Sequence, residues 1–217
     1  EEYNLQFLDD QTGRYANGSQ AAQAMSLIVE LVPEEYQDKV VSQLKDDVVK
    51  RGYAITAGDV GHPFLIAALM KYGMSDVLNE MTNITEKPGY GYQVVNGATT
   101  LTEEWDGPEP GNIHGSQNHL MLGSIEEWFY GSLGGMELVR DGLPFEEIRI
   151  VPHPEKGVDW VNAWTMHPYG KISVKWKTEN EKTKVFCQIP PGLTAHLEAP
   201  DGQEIMTVGS GNYEYEF

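Results

Sequence analysis

The chain has 217 residues, and its 33 acids against 15 bases give a formal net charge of −18. With no run of Lys or Arg able to follow a phosphate backbone, that balance excludes nucleic acid and anionic membrane surfaces as partners. It fits either plain solubility or an acidic cleft for a neutral or cationic ligand.

A hydrophobic content of 40% supports one large domain or two smaller ones with real cores. Cys187 is the only cysteine, which rules out an internal disulfide framework and a thiolate metal site. The longest apolar runs, such as residues 64–70, fall far short of a membrane span. The opening EEYNLQFLDDQTG lacks the basic and apolar regions of a secretory signal and has no initiator Met, as expected of a chain cut from a longer protein.

Ser19 to Val32 predicts a helix capped by Ser19. Pro33 stops it and opens EEYQDKVVSQLKDDVVKR, where Tyr36, Val40, Val41, Leu44 and Val48 recur at helical spacing before Gly52 supplies a C-cap. Pro63 to Tyr72 and Ser75 to Asn83 predict two more helices around Gly73, so that four helices form two hairpins.

Between Thr85 and Gly115 the periodicity dissolves into a segment far longer than the connections of about two to six residues that compact domains prefer. Long loops that carry aromatics and acids are more often functional than idle. Helix is expected again over Ser116 to Gly131, with Leu120, Gly123, Ile125, Trp128 and Phe129 on its buried side. Beyond Asp141, FEEIRIVP, KISVKWKTE, TKVFCQIP and TAHLEAP alternate and are rich in β-branched residues, which predicts an antiparallel β-sandwich. The expected fold is α+β in two regions, helices over 1–140 and a sandwich over 141–217, with the transition near Met136 to Phe145.

Chemistry concentrates in GATTLTEEWDG, residues 97–107. Glu103 and Glu104 are adjacent, so their side chains diverge in an extended loop and only one can address a given substrate atom. An acid and base pair for glycoside hydrolysis must flank the scissile bond, so the second partner has to come from elsewhere. Trp105 is either a platform for a sugar ring or an anchor tying the loop to the helices. His119 can reach what the loop surrounds, whereas His62, at a helix start, reads as a packing residue. The other histidines have no metal-binding spacing, and PGYGYQ and SLGG match no phosphate-binding fingerprint.

TAGDVGHPFLIAALMKYG, PGYGYQVVNGATTLTEEWDG and SQNHLMLGSIEEWFYGSLGGM together resemble the C-terminal half of the catalytic domain of inverting bacterial α-L-rhamnosidases, glycoside hydrolase family 78. The β-rich tail resembles the small sandwich that closes those enzymes. The resemblance implies an (α/α)6 toroid, a six-hairpin glycosidase, of which this chain supplies fewer than half of the helices. It also implies that Glu103 is the general base and that Glu104 occupies a place of variable type. His119, with Asn118 beside it, would hydrogen-bond the rhamnose or help position the water, and Trp105, Tyr90 and Tyr92 would shape the pocket. Thr102 stands where many relatives carry Trp.

The general acid of such enzymes lies earlier in the barrel, so the isolated chain is expected to be inactive. No metal or cofactor is implied. The implied partners are a rhamnosyl glycoside and the remainder of the catalytic domain, with self-association of the uncovered helices, and the implied parent is a periplasmic or secreted bacterial protein. Two other readings stay open: a six-hairpin glycosidase acting on another sugar, since fold does not fix substrate, and a carbohydrate-binding module. Trp160, Trp164 and Trp176 sit at strand positions that would suit a core equally well.

Overall fold

The computed structural model describes residues 1–109, 111, 113–139 and 146–217. The expected boundary between residues 140 and 141 lies outside them. The described chain forms two compact units, residues 1–125 and 126–217.

The first unit opens with a short helix α1 (Glu2–Phe7) and a two-stranded ribbon, β1 (Leu8–Asp9) with β2 (Arg14–Tyr15). Helix α2 (Gln20–Ile28) starts where Ser19 accepts a hydrogen bond from the Ala22 N–H, as its sequence predicts, but it ends at Ile28 rather than Val32. Pro33 leads through a 3-10 turn into α3 (Gln37–Lys50), whose Val40, Leu44 and Val48 are fully buried. Helices α4 (His62–Lys71) and α5 (Ser75–Asn83) stand where the apolar spacing puts them. Helix α2 packs on α3 and α4, and α5 packs on α4 and on a short helix α6 (Tyr90–Val95). Helix α6 falls within the segment expected to be irregular, because Gly91 and two tyrosines conceal its single turn and a half.

The helix expected over Ser116 to Gly131 is not a regular one. Residues 116–119 are irregular, Leu120–Ile125 is a 3-10 segment, and in the second unit α7 (Glu126–Trp128) runs into a π turn (Phe129–Leu133). The cause is competition for backbone groups: Ser116 O accepts from Glu103 N–H and His119 N–H donates to Leu101 O, so the first turn is spent on the loop. Burial shifts accordingly. Leu122, Ile125 and Trp128 are buried at intervals of three, while Leu120 is 80% exposed and Phe129 is at the surface.

The second unit is a two-sheet sandwich. One sheet has the order β10-β7-β6-β5, from β5 (Trp160–His167), β6 (Gly170–Glu179), β7 (Lys182–Ile189) and β10 (Gly211–Glu216), all antiparallel. The other, β3-β4-β8-β9, contains β3 (Met136–Leu138), β4 (Glu147–Ile150), β8 (Thr194–Glu198) and β9 (Glu204–Val208). It is mixed, because β4 pairs parallel with β8. The three strands of the opposite sheet intervene between β4 and β8 and supply the long crossover that parallel pairing needs. Ile148, Ile150, Val174, Trp176, Val185, Cys187, Ala195 and Leu197 from both sheets share one core. Trp176 is in that core, but Trp160 and Trp164 face solvent at 65% and 51% exposure, since edge strand β5 turns its even-numbered side chains outward.

Candidate active site

The acidic loop is built by backbone pairing, not by secondary structure. Residues 101–103 run beside 116–119: Leu101 O accepts from His119 N–H at 2.7 Å, and Glu103 N–H donates to Ser116 O at 2.8 Å. The Glu103 carboxylate closes the same pair, its Oε2 accepting from Ser116 N–H at 3.0 Å. Gly115 makes this approach possible. Its φ is +67°, and a Cβ there would stand 3.0 Å from Glu104 Cγ.

Below the loop, buried Gln93 on α6 acts as a template. Its Oε1 accepts from Thr102 N–H at 3.2 Å, and its Nε2 donates to Thr102 O and Glu104 O. Thr102 adds a hydroxyl donation to Glu104 O at 2.8 Å. The main chain of Glu104 is therefore held from beneath while the side chains of Glu103 and Glu104 stay exposed. His119 Nε2, out of contact with solvent, lies 3.5 Å from Asp59 Oδ2, outside hydrogen-bond geometry but within ion-pair range. His114 Nε2 lies 3.6 Å from Asp106 Oδ1. Chemically, this is a carboxylate fixed through one oxygen on an open surface, with an imidazole on the adjoining strand of the same pair. Among the described residues no group of three or more His, Cys, Asp or Glu could hold a metal ion.

A family model described as the bacterial alpha-L-rhamnosidase 6 hairpin glycosidase domain matches residues 1–133, and the bacterial alpha-L-rhamnosidase C-terminal domain matches 135–214. The chain belongs to the bacterial α-L-rhamnosidase family.

Alpha-L-rhamnosidases of Streptomyces avermitilis and Formosa agariphila are 26% and 27% identical to it over 94% and 90% of its length. The chain spans 22% of each of those relatives. The native α-L-rhamnosidase structure from Aspergillus terreus matches with a TM-score of 0.91 at 29% identity, covering 99% of this chain and 26% of that one. The Streptomyces avermitilis enzyme complexed with L-rhamnose matches with a TM-score of 0.89 at 24% identity, covering 99% of this chain and 23% of that one, a likeness of fold. A helical region followed by a sheet-rich domain is thus the arrangement of this rhamnosidase family.

The expected site residues separate into two sets. Glu103, Glu104, Asn118 and His119 share the paired loop, the first three exposed and His119 half-buried. Trp105 is buried. It is 7% exposed, its Nε1–H donates to Ala57 O at 2.8 Å, and its ring lies edge-on to His62 and Tyr90, with centroids 5.0 Å away in each case. The indole anchors the loop to the helices. Tyr90 is locked likewise, its hydroxyl 2.7 Å from His62 Nε2 and bonded to Leu122 O. Tyr92 is half-buried, and its carbonyl accepts from Asn96. Thr102 is 1% exposed and faces inward, so it covers no sugar.

Asp59 and Gln93 were not legible as site residues. Asp59 is a lone acid in TAGDVGHP, and only the fold brings it to His119. Gln93 gives no sequence signal beyond its place in PGYGYQ. A cleft of about 330 Å³ lined by Leu27, Glu30, Glu34, Lys71 and Tyr72 shares no residue with the loop.

Proposed function

We propose that this chain is the base-bearing part of an inverting α-L-rhamnosidase that releases terminal rhamnose from glycosides or polysaccharides. The observation that carries the reading is the Glu103 carboxylate, exposed and oriented through Oε2 by the Ser116 N–H, which leaves Oε1 to accept a proton. In this mechanism a water held at Glu103 loses its proton to the carboxylate as its oxygen attacks the anomeric carbon from the face opposite the leaving group. The glycosidic oxygen takes a proton from an acid elsewhere in the parent protein. An inverting pair stands about 6.5–9.5 Å apart across the scissile bond to leave room for that water, and adjacent Glu103 and Glu104, whose side chains diverge, do not face each other across one bond. His119, backed by Asp59, contacts the sugar, and Glu104 is a neighbour without a chemical step.

Glu103→Gln in the complete enzyme should lower kcat on an aryl α-L-rhamnoside by about 10²–10⁴-fold with little change in KM, since general-base loss alone is worth that much. Near-normal turnover, with Glu104→Gln inactive instead, would reverse the assignment. The 217-residue chain alone should not turn over the same substrate. The exposed Leu5, Val94, Val95 and Leu120 are apolar surface that the remainder of the catalytic domain covers in this reading. The isolated chain should therefore show a sedimentation coefficient that rises with concentration, and a concentration-independent monomer would count against that part of the proposal.

A further inference from the structure

On the sheet β10-β7-β6-β5, Ile172, Val174, Trp176, Val185 and Cys187 point into the core, and the residues alternating with them point out. Edge strand β5 presents Trp160, Asn162, Trp164 and Met166 outward, with Met166 67% exposed. In register on β6 stand Lys177 opposite Trp160, Lys175 opposite Asn162, Ser173 opposite Trp164 and Lys171 opposite Met166. Lys171 Nζ lies 4.8 Å from the Trp164 ring centroid. Lys177 pairs with Glu179 at the hairpin tip, while no acid among the described residues pairs with Lys171 or Lys175. The outward acids Glu214 and Glu216 sit on β10, at the far edge of the sheet, and engage Lys184 and Lys182 of β7.

This half-face has a composition unlike the chain that carries it. Three of the 15 basic residues of a chain with net charge −18, Lys171, Lys175 and Lys177, lie on the single strand β6. A dry protein interface is a poor match, because interface centres are depleted of Lys and desolvating unpaired ammonium groups is costly. A sugar polymer fits both features: the apolar face of a pyranose lies on an indole, and anionic substituents meet lysines that stay wet. Four residues along a strand separate Trp160 from Trp164 by about 13 Å, more than one sugar unit, so the ligand is a chain and not a monosaccharide.

We propose that the β5–β6 face is a second carbohydrate-binding surface, for an anionic polysaccharide that stacks on Trp160 and Trp164 and pairs its acidic groups with Lys171 and Lys175. It is independent of the hydrolytic site and of the reading of Glu103.

The test uses the full 217-residue chain, with tryptophan fluorescence titration and affinity electrophoresis. Polygalacturonate and dextran sulfate are the probes, separating carboxylate from sulfate, and neutral dextran and poly-L-glutamate are the controls. At least one anionic polysaccharide should bind and both controls should not. Trp160→Ala and Trp164→Ala should each weaken binding about tenfold, the equivalent of about 1.4 kcal/mol. Lys171→Ser with Lys175→Ser should weaken it further and flatten its dependence on salt. Both pairs of substitutions are at the surface, and thermal unfolding checks that each variant folds; the lysine variants keep the test decisive if a tryptophan variant does not. Failure of both polysaccharides to bind, equal binding of polyglutamate, or wild-type affinity in the tryptophan variants would overturn the proposal. So would shielding of Trp160 and Trp164 from acrylamide quenching in the complete enzyme, because the face would then be an internal contact.

Discussion

His62 shows how a single side chain beneath the acidic loop makes the helical unit sensitive to acid. It is fully buried, and its Nε2 is bonded to Tyr90 while Trp105 packs edge-on against the ring. Burial pushes its pKa down from 6.5 to about 4. Between those values the unfolded chain binds a proton that the folded chain does not, so stability falls as pH falls through 6.5 toward 4 and is whole above 6.5. At pH 5 the loss from this group is about 2 kcal/mol, approaching about 3 kcal/mol below pH 4. Urea unfolding at pH 7 and pH 5 should show that drop in the native chain and a smaller one in His62→Asn. Parallel pH dependence in the two proteins would mean that the ring takes its proton without unfolding. The sequence marks His62 as a packing residue because it opens a helix, and Tyr90 and Trp105 are the partners that hold it in the scaffold beneath the loop.

At the level of elements, close backbone approaches decide which glycines matter. Gly135 sits at φ +69°, and a Cβ there would lie 2.3 Å from Pro152 N, a backbone atom that cannot swing away. Gly135→Ala should therefore destabilise the 126–217 unit by about 2–4 kcal/mol, combining left-handed strain with displacement of the 151–152 segment. A change in denaturation midpoint no larger than that of Gly157→Ala, which has nothing within 4 Å of its added Cβ, would sink the argument.

The helices that burial drives, α3, α4 and α5, were legible because their apolar spacing survives in the fold, and so were β6, β7 and β8. The segment over residues 116–133 was not, since its backbone groups are claimed by a loop distant in sequence, which no local period records. The same reason hid Gln93 and Asp59. By contrast Glu103 and Glu104 stood out together, as adjacent acids in a loop too long to be a simple connection, and the family resemblance singled out Glu103. The opposite exposures of Trp176 and Trp160 could not be told from their similar alternation, because strand period fixes a face but not which face is covered.

Across the whole molecule, charge sets how stability responds to solvent. The ion pairs are mostly exposed, including Lys45 with Asp76, Lys71 with Glu30 and Lys182 with Glu216, and each such pair is worth about 0–1 kcal/mol. Against them stands a net charge of −18, whose mutual repulsion the unfolded chain relieves by expanding. Raising ionic strength from about 0.01 M to about 1 M shortens the screening length from about 30 Å to about 3 Å. That erases long-range repulsion throughout the chain, while the contact pairs lose little because they contributed little. Stability should therefore rise with NaCl, read as a higher thermal midpoint at neutral pH. NaCl is the right salt for this, because sulfate would strengthen apolar burial and imitate the effect. Arg149 supplies an internal control. Its guanidinium is bonded to Glu198 at 2.8 and 2.6 Å and to Glu137 at 2.9 Å, and Glu198 is 8% exposed, so the Glu198 end of this cluster is screened less than the open surface pairs. Arg149→Met should cost about 2 kcal/mol at either salt concentration by leaving a buried carboxylate unpaired. A midpoint that falls as NaCl is added to the native chain would show that the surface pairs, and not the surplus of acids, govern its stability.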